Sequence, residues 1–270
     1  MSRTKEEILD IIKLYETKSQ KEIGEIYGLT SSYIGVILRK NNAPKHSKGR
    51  LNMSKIPLDF DYFKIINSNQ KAYWLGYLAA DGYIDKSGGK TYLISKDKEI
   101  IEKFKFDVGS GHKVSERNNF DKRTNKTYRS YTVQITNYLF TQNLCSFGVN
   151  QNKSDIFNFP NINEKYYSYF IAGLFDGDGS VSFRTTNKNL LRINLISSFE
   201  TLTFIQNYLV NNVGINKIKM FRITENKLNI WKMHLYKDAV KFLDFIYQDN
   251  TFFYMKRKYD IYNNNKNNEL

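Results

Sequence analysis

The stretch Ile171–Gly179, IAGLFDGDG, decides how this chain reads, and Trp74–Gly82, WLGYLAADG, is its weaker echo. Both end on a small residue, an Asp and a Gly. Their aspartates, Asp81 and Asp178, stand about one small domain apart, so the two stretches read as copies of one unit. Tyr166, Phe170 and Leu174 recur at helical spacing in the second copy, as Tyr73, Tyr77 and Leu78 do in the first. Gly76 and Ala80 are four apart, as are Gly173 and Gly177, which puts two small residues on one face of each helix. A face without bulk lets another backbone approach closely, and the expected partner is the other copy. Neither segment is long enough to span a bilayer. Gly82 and Gly179 sit where a C-cap glycine belongs.

Asp81 and Asp178 then fall at helix C-termini. The macrodipole is negative there and disfavours an anion by under about 1 kcal/mol. Packing the small faces together also makes the two carboxylates converge. Divalent cations remove both penalties, and hard oxygen ligands favour Mg²⁺ or Ca²⁺. The pair reads as a metal site at a seam between two halves. Two ordinary Asp-Gly turns are the competing reading; the matched small-residue spacing weighs against it.

IAGLFDGDG and AYWLGYLAADG resemble the two motifs of a single-chain LAGLIDADG homing endonuclease, and the resemblance covers about Phe63 to Tyr262. It implies that Asp81 and Asp178 bind divalent metal, Mg²⁺ or another cation, and that the carbonyls of Ala80 and Gly177 join the coordination. It implies a metal-dependent, staggered double-strand break in a long, near-asymmetric DNA site, leaving 3′ overhangs, made by a monomer. The first copy departs in having Trp74, Leu75 and Ala79 where the second has Ile171, Ala172 and Asp176. Asp176 therefore has no twin and is read as structural, or as one layer behind the metal.

The rest of the chain is consistent with a nucleic-acid partner. Its 270 residues allow a real core, and 41% hydrophobic with 15% aromatic content fits a folded protein. A net charge of +14 favours a polyanion, although anionic membranes attract basic proteins too. The single Cys145 excludes an intramolecular disulfide framework and a multi-cysteine zinc site. His46, His112 and His234 have no ligand spacing and receive no role. No secretory apolar segment opens the chain, so the expectation is a cytoplasmic protein, nucleoid-associated when bound, or one of an organellar matrix.

In order, residues 1–42 read as a three-helix, helix-turn-helix DNA-binding domain. Thr4 with Glu7 and Ser19 with Glu22 fit capping boxes, Gly28 breaks the pattern, and Thr30 caps a third helix. Gly24 is small where two helices would cross. Ser31, Ser32, Tyr33, Arg39 and Lys40 belong to that third, recognition helix. A generic helical cap is the alternative. Residues 43–62, with Lys45, Lys48 and Arg50, read as a basic linker that tracks phosphates or is simply solvated. Residues 63–158 and 159–270 are the two halves.

Each half reads helix, two strands, helix, two strands, helix. In the first, the strands are Tyr83–Asp85, Thr91–Ser95, Lys113–Arg117 and Tyr128–Thr136, with Arg117, Lys122, Arg123 and Lys126 on the last connecting loop. The fold class is α+β: a pseudo-twofold pair of αββαββα halves whose two antiparallel sheets form a DNA-binding saddle, after a small all-α domain. Strand alternation puts Ser130, Thr132 and Gln134 on one polar face, and Ser182, Arg184, Arg192 and Asn194 on its counterpart. A sheet with such a face fits the major groove; an ordinary solvent face is the alternative.

The proposed reaction is phosphodiester hydrolysis. Lys96 ends the second strand of the first half, and Ser198 is taken as its equivalent. Lys153 and Lys258 match each other just after the closing helices, and Lys256 is near. Each lysine is either an active-site group or a contact to phosphate or solvent. Two rival functions stay open. A LAGLIDADG scaffold with a helix-turn-helix also resembles certain bacterial transcription factors, which tend to have degraded acids, and some family members are RNA maturases.

Overall fold

The computed structural model describes residues 3–15, 18–41, 43, 56–121, 124–151, 153, 156–183, 190–223 and 229–268. The chain divides into two compact units, Met1–Ser54 and Lys55–Leu270.

The first unit holds α1 (Lys5–Leu14), α2 (Gln20–Tyr27) and α3 (Ser31–Lys40). Local chemistry sets their starts. Thr4 with Glu7 and Ser19 with Glu22 form complete capping boxes, and Thr30 accepts from Tyr33 N at 3.2 Å. Gly28, at φ 62°, ends α2 in the left-handed conformation that an L side chain resists. Ile11, Ile23, Ile34, Ile37 and Leu38 form a separate small core. Gly24 is small for a different reason than a helix crossing. A Cβ there would meet the carbonyl of Leu29, in the turn itself, closer than 3.0 Å.

The second unit is built on α4 (Asn69–Asp81) and α7 (Tyr167–Asp178). Ala72–Ala79 and Ser168–Asp176 are buried throughout, as expected of helices covered on all sides. Each copy adds a four-stranded antiparallel sheet. The first has the order β1 (Gly82–Ile84), β2 (Lys90–Ser95), β4 (Lys126–Thr136), β3 (Val114–Asp121). The second has the order β5 (Ser180–Phe183), β6 (Leu191–Ser198), β8 (Ile230–Leu235), β7 (Met220–Arg222). The registers correspond: Leu93 pairs with Val133 and Leu195 with Met233, all four buried. Helices α5 (Lys98–Asp107) and α6 (Tyr138–Cys145) complete the first half; α8 (Phe199–Val213) and α9 (Ala239–Ile246) complete the second. One continuous core joins both.

Four features differ from the sequence reading. A further helix, α10 (Lys256–Asn268), follows α9; its composition is so polar that no apolar stripe announces it. The β3–β4 hairpin is longer than expected, so Arg117 and Lys126 lie in strands rather than on the loop; Lys122 and Arg123 lie outside the described residues. Residues 56–62 are not linker. Gly111 N donates to Pro57 O at 2.9 Å, Asp59 N to Val108 O at 3.0 Å, and Tyr62 is buried. Lys45, Lys48 and Arg50 lie outside the described residues. Finally, Gly82 (φ −72°) and Gly179 (φ −85°) are extended rather than left-handed. They are glycines because the chain folds sharply back. A Cβ on Gly82 would press on Leu78, and one on Gly179 on Phe175, at under 3.0 Å.

Candidate functional site

Helices α4 and α7 cross at backbone contact, and the crossing positions the two acids. A Cβ on Gly76 would lie under 3.0 Å from the carbonyl oxygen of Phe170, and one on Gly173 equally close to that of Tyr73. This reciprocity is the pseudo-twofold relation in atomic terms. One turn later a Cβ on Gly177 would overlap that of Ala80, 3.5 Å from Asp81 N. The two acidic turns therefore lie side by side.

Asp81 and Asp178 are open to solvent on one side and crowded by protein on the other. Burial, then the negative charge of Asp81, pushes the Asp178 carboxyl up to about 6. Asp81 is also raised, again chiefly by burial, with Lys258, Lys153, the nearby Tyr77 hydroxyl and Arg257 pulling it back. The Tyr77 hydroxyl is buried and makes no close hydrogen bond among the described residues; it lies against Asp81 and Ser95 at longer range.

Lys153 and Lys258 occupy matched places beneath these turns. Lys258 Nζ donates to the carbonyls of Phe175 (2.6 Å), Asp176 (2.8 Å) and Gly179 (2.6 Å). Lys153 Nζ donates to the carbonyl of Gly82. Each buried ammonium satisfies backbone oxygens at the C-terminal end of one motif helix and opposes its dipole. Burial pushes Lys258 down to about 8 and lowers Lys153, while the neighbouring acids act the other way. Lys96 is exposed, with Nζ 4.0 Å from the centre of the Tyr128 ring, and it lines the Asp81 cleft. Lys256 is exposed and pairs with Asp260 at 3.1 Å.

By strand register Ser198 holds the place of Lys96, as Leu195 holds that of Leu93, but its surroundings differ. It is fully buried, caps α8 by accepting from Thr201 N at 3.2 Å, and donates to Phe157 O. Strand β6 runs straight into α8, so Ser198 also takes the N-cap role that Asp97 has in the first half. Ser198→Ala should therefore cost about 1–2 kcal/mol in denaturant unfolding. An alanine variant as stable as the parent would show that the cap and the bond to Phe157 contribute nothing.

Asp176 is a hub inside the core. Its carboxylate accepts from Tyr73 Oη (2.8 Å), Tyr247 Oη (2.8 Å) and Met255 N (2.9 Å). It ties α7 to α4 and to the segment leading into α10, which accounts for an acid without a twin.

The donor set suits a hard cation. Two carboxylates adjoin, and among the described residues no side chain donates to the carbonyls of Ala80 or Gly177. Among the described residues no cluster of three or more His, Cys, Asp or Glu exists. A closed all-protein cage is thus absent there. Two carboxylates and the backbone carbonyls beside them are the oxygen donors a divalent cation would find here.

The surrounding surface is polar and basic. A cleft of about 810 Å³ at Asp81 is lined by Lys96, Asp97, Arg117, Asn119, Tyr128 and Arg257, among others. Sequence reasoning did not single out Arg257 or Asn119; adjacency to Lys258 was the one available signal for Arg257. Thr132 is half-buried and Gln134 exposed, flanked by buried Val133 and Ile135. Ser130 lines the same cleft but is largely buried, because Asn119 Nδ2 covers its hydroxyl at 2.6 Å. Ser182, Arg192 and Asn194 are half-buried, and Asn194 Nδ2 donates to Ser180 Oγ at 2.8 Å. Arg184 lies outside the described residues. On α3, Ser31, Ser32, Tyr33, Arg39 and Lys40 are all exposed. Arg39 Nε folds back onto Gly35 O at 3.2 Å. Among the described residues no helix is long and apolar enough to cross a membrane.

Residues 68–138 match the LAGLIDADG-like domain family. No curated protein sequence matches the chain. The homing endonuclease I-WcaI bound to its DNA recognition sequence superposes on 82% of this chain and 96% of its own, at 18% identity and TM-score 0.52. Full-length DUF199/WhiA from Thermatoga maritima covers 78% of this chain and 65% of its own, at 17% identity and TM-score 0.45. Mesophilic variants of the homing endonuclease I-DmoI cover 71% and 93%, at 16% identity and TM-score 0.41.

Proposed function

We propose, from the premise that this chain has the LAGLIDADG homing endonuclease fold, that it is a site-specific, metal-dependent DNA endonuclease that cuts both strands. One observation carries the reading. Two like-charged carboxylates, Asp81 and Asp178, are driven together by a helix crossing that admits no side chain, and the cost shows in the raised Asp178 carboxyl. A fold without use for a cation has no reason to keep both acids.

Asp81 and Asp178, with the carbonyls of Ala80 and Gly177, would hold divalent cations, whose chemistry is to sharpen a bound water as nucleophile and neutralise the leaving oxygen. Hydrolysis adds water across one P–O bond, giving a phosphate monoester end and a hydroxyl end on each strand. Lys153 and Lys258 keep the acidic turns in place by holding the backbone oxygens beneath them. The polar sheet faces contact bases and phosphates. In the N-terminal unit, α2, the Gly28 turn and α3 act as a helix-turn-helix with Ser31, Ser32 and Tyr33 at the start of the reading helix. The target is long double-stranded DNA, and the enzyme works as a monomer because both halves are in one chain.

Incubation with supercoiled plasmid bearing the locus that flanks its gene, with Mg²⁺ and then with EDTA, tests this. Linear DNA formed only with Mg²⁺ is expected. A shifted but intact band would leave a DNA-binding regulator, and splicing of precursor RNA without DNA cleavage would leave a maturase.

A further inference from the structure

The two acidic turns repeat in sequence, but their surroundings do not. Helix α5 begins after Asp97, yet Asp97 makes no side-chain bond to its own helix. Such an unused cap forgoes about 1 kcal/mol. Its carboxylate instead accepts from Arg257 Nε at 3.0 Å, across 160 residues of chain. The matching N-cap of the second half, Ser198, does cap its helix.

Arg257 comes from the second half and is aimed at the first. Its neighbour Lys258 is fixed to three carbonyls at the end of α7 and its turn, and Asp176 holds Met255 N. These bonds set the start of α10, so Arg257 stands in the Asp81 cleft, where its charge acts on Asp81. The charges acting on Asp178 are those of Asp81, Lys153 and Lys258. The Arg257 side chain is 59% exposed, and among the described residues only its Nε is engaged. In the first half the residue before Lys153 is Asn152, which is neutral and lies outside the described residues. Tyr77 beside Asp81 likewise corresponds to Leu174 beside Asp178.

We infer that Arg257 is a phosphate-binding residue of the Asp81 centre alone, and that the two DNA strands are therefore cut at unequal rates, the Asp81 strand first. The inference rests on the nuclease reading above. A guanidinium offers a planar fork of donors matched to phosphate oxygens. Placed beforehand, it stabilises charge that builds on the phosphate during cleavage. Asp97 holds it in place through Nε and leaves the terminal nitrogens for the phosphate.

The test is strand-resolved single-turnover cleavage with Mg²⁺, on an end-labelled duplex recovered by binding selection from a randomised library. Arg257→Gln is expected to slow one strand by about 10–100-fold, so that nicked duplex accumulates. Asp81→Asn should stop cleavage of that same strand, which identifies it. Arg257→Lys should recover part of the rate, since charge remains but the fork is lost. Equal slowing of both strands, an unchanged strand ratio, or slowing of the strand that survives Asp81→Asn would overturn the inference. A wild-type protein that binds the selected duplex but cuts neither strand would fell the nuclease reading itself, and this inference with it.

Discussion

Asp178→Asn is expected to abolish double-strand cleavage and, at neutral pH, to make the cation-free protein more stable. The activity loss should reach at least about 10³-fold. Bound cations contribute several kcal/mol of charge stabilisation, and each 1.4 kcal/mol is roughly tenfold in rate. The stability gain follows from the raised carboxyl, about 6 against an ordinary 3.8. A carboxyl raised by folding holds its proton more tightly in the folded state. Stability is then lost as pH climbs from about 4, and the loss is complete above about 6. Asn carries no such charge. Melting temperatures of the variant should exceed the wild type at pH 7.5, and the gap should close toward pH 4. Adding Mg²⁺ should raise only the wild type, because a ligand stabilises the state that binds it. Equal melting curves across this pH range would mean the acids are not in conflict. Cutting of both strands by the variant would remove Asp178 from the reaction.

Gly173→Ala is expected to destabilise the second unit by about 3 kcal/mol or more. Helix propensity alone predicts the opposite sign, a gain of roughly 1 kcal/mol. Geometry reverses it, because the new methyl would meet the Tyr73 carbonyl oxygen and Tyr77 N, both backbone atoms, at under 3.0 Å. Backbone inside a packed helix pair cannot step aside as a flexible side chain can. Gly76→Ala should behave alike, against Phe170 and Leu174. Whatever fraction stays folded should cleave poorly, since prying the helices apart also separates Asp81 from Asp178. Denaturant unfolding decides the matter: an alanine variant as stable as the parent is incompatible with this crossing.

The charged residues below the crossing show how the parts depend on each other. Lys258 binds oxygens at the end of α7, Asp176 receives Met255, and Arg257, between those two anchors, enters the cleft of the other half. A polar C-terminal helix thereby becomes part of the acidic centre. Lys153 does the corresponding work for α4 with a single carbonyl.

Residues within about one helical turn of each other determined what was legible in the sequence alone. The capping boxes at Thr4 and Ser19, the small faces of α4 and α7, the alternating strands and the placement of Asp81 and Asp178 depend on i, i+3 and i, i+4 relations or on strand parity. Those relations hold wherever the segment lies. Packing alone decided the rest. Arg257 meets Asp97 across 160 residues, and Lys258 meets Phe175 across 83. Ser198 and Ser130 are polar and look solvent-facing in sequence, but the tertiary fold buries both with partners of their own. Gly82 and Gly179 follow the same division: that the chain turns there is written locally, whereas the reason for glycine is the side chain or carbonyl that the returning strand leaves no room to avoid. A buried charge or hydroxyl takes whichever partner the packed chain brings within about 3 Å, and no local pattern encodes that distance.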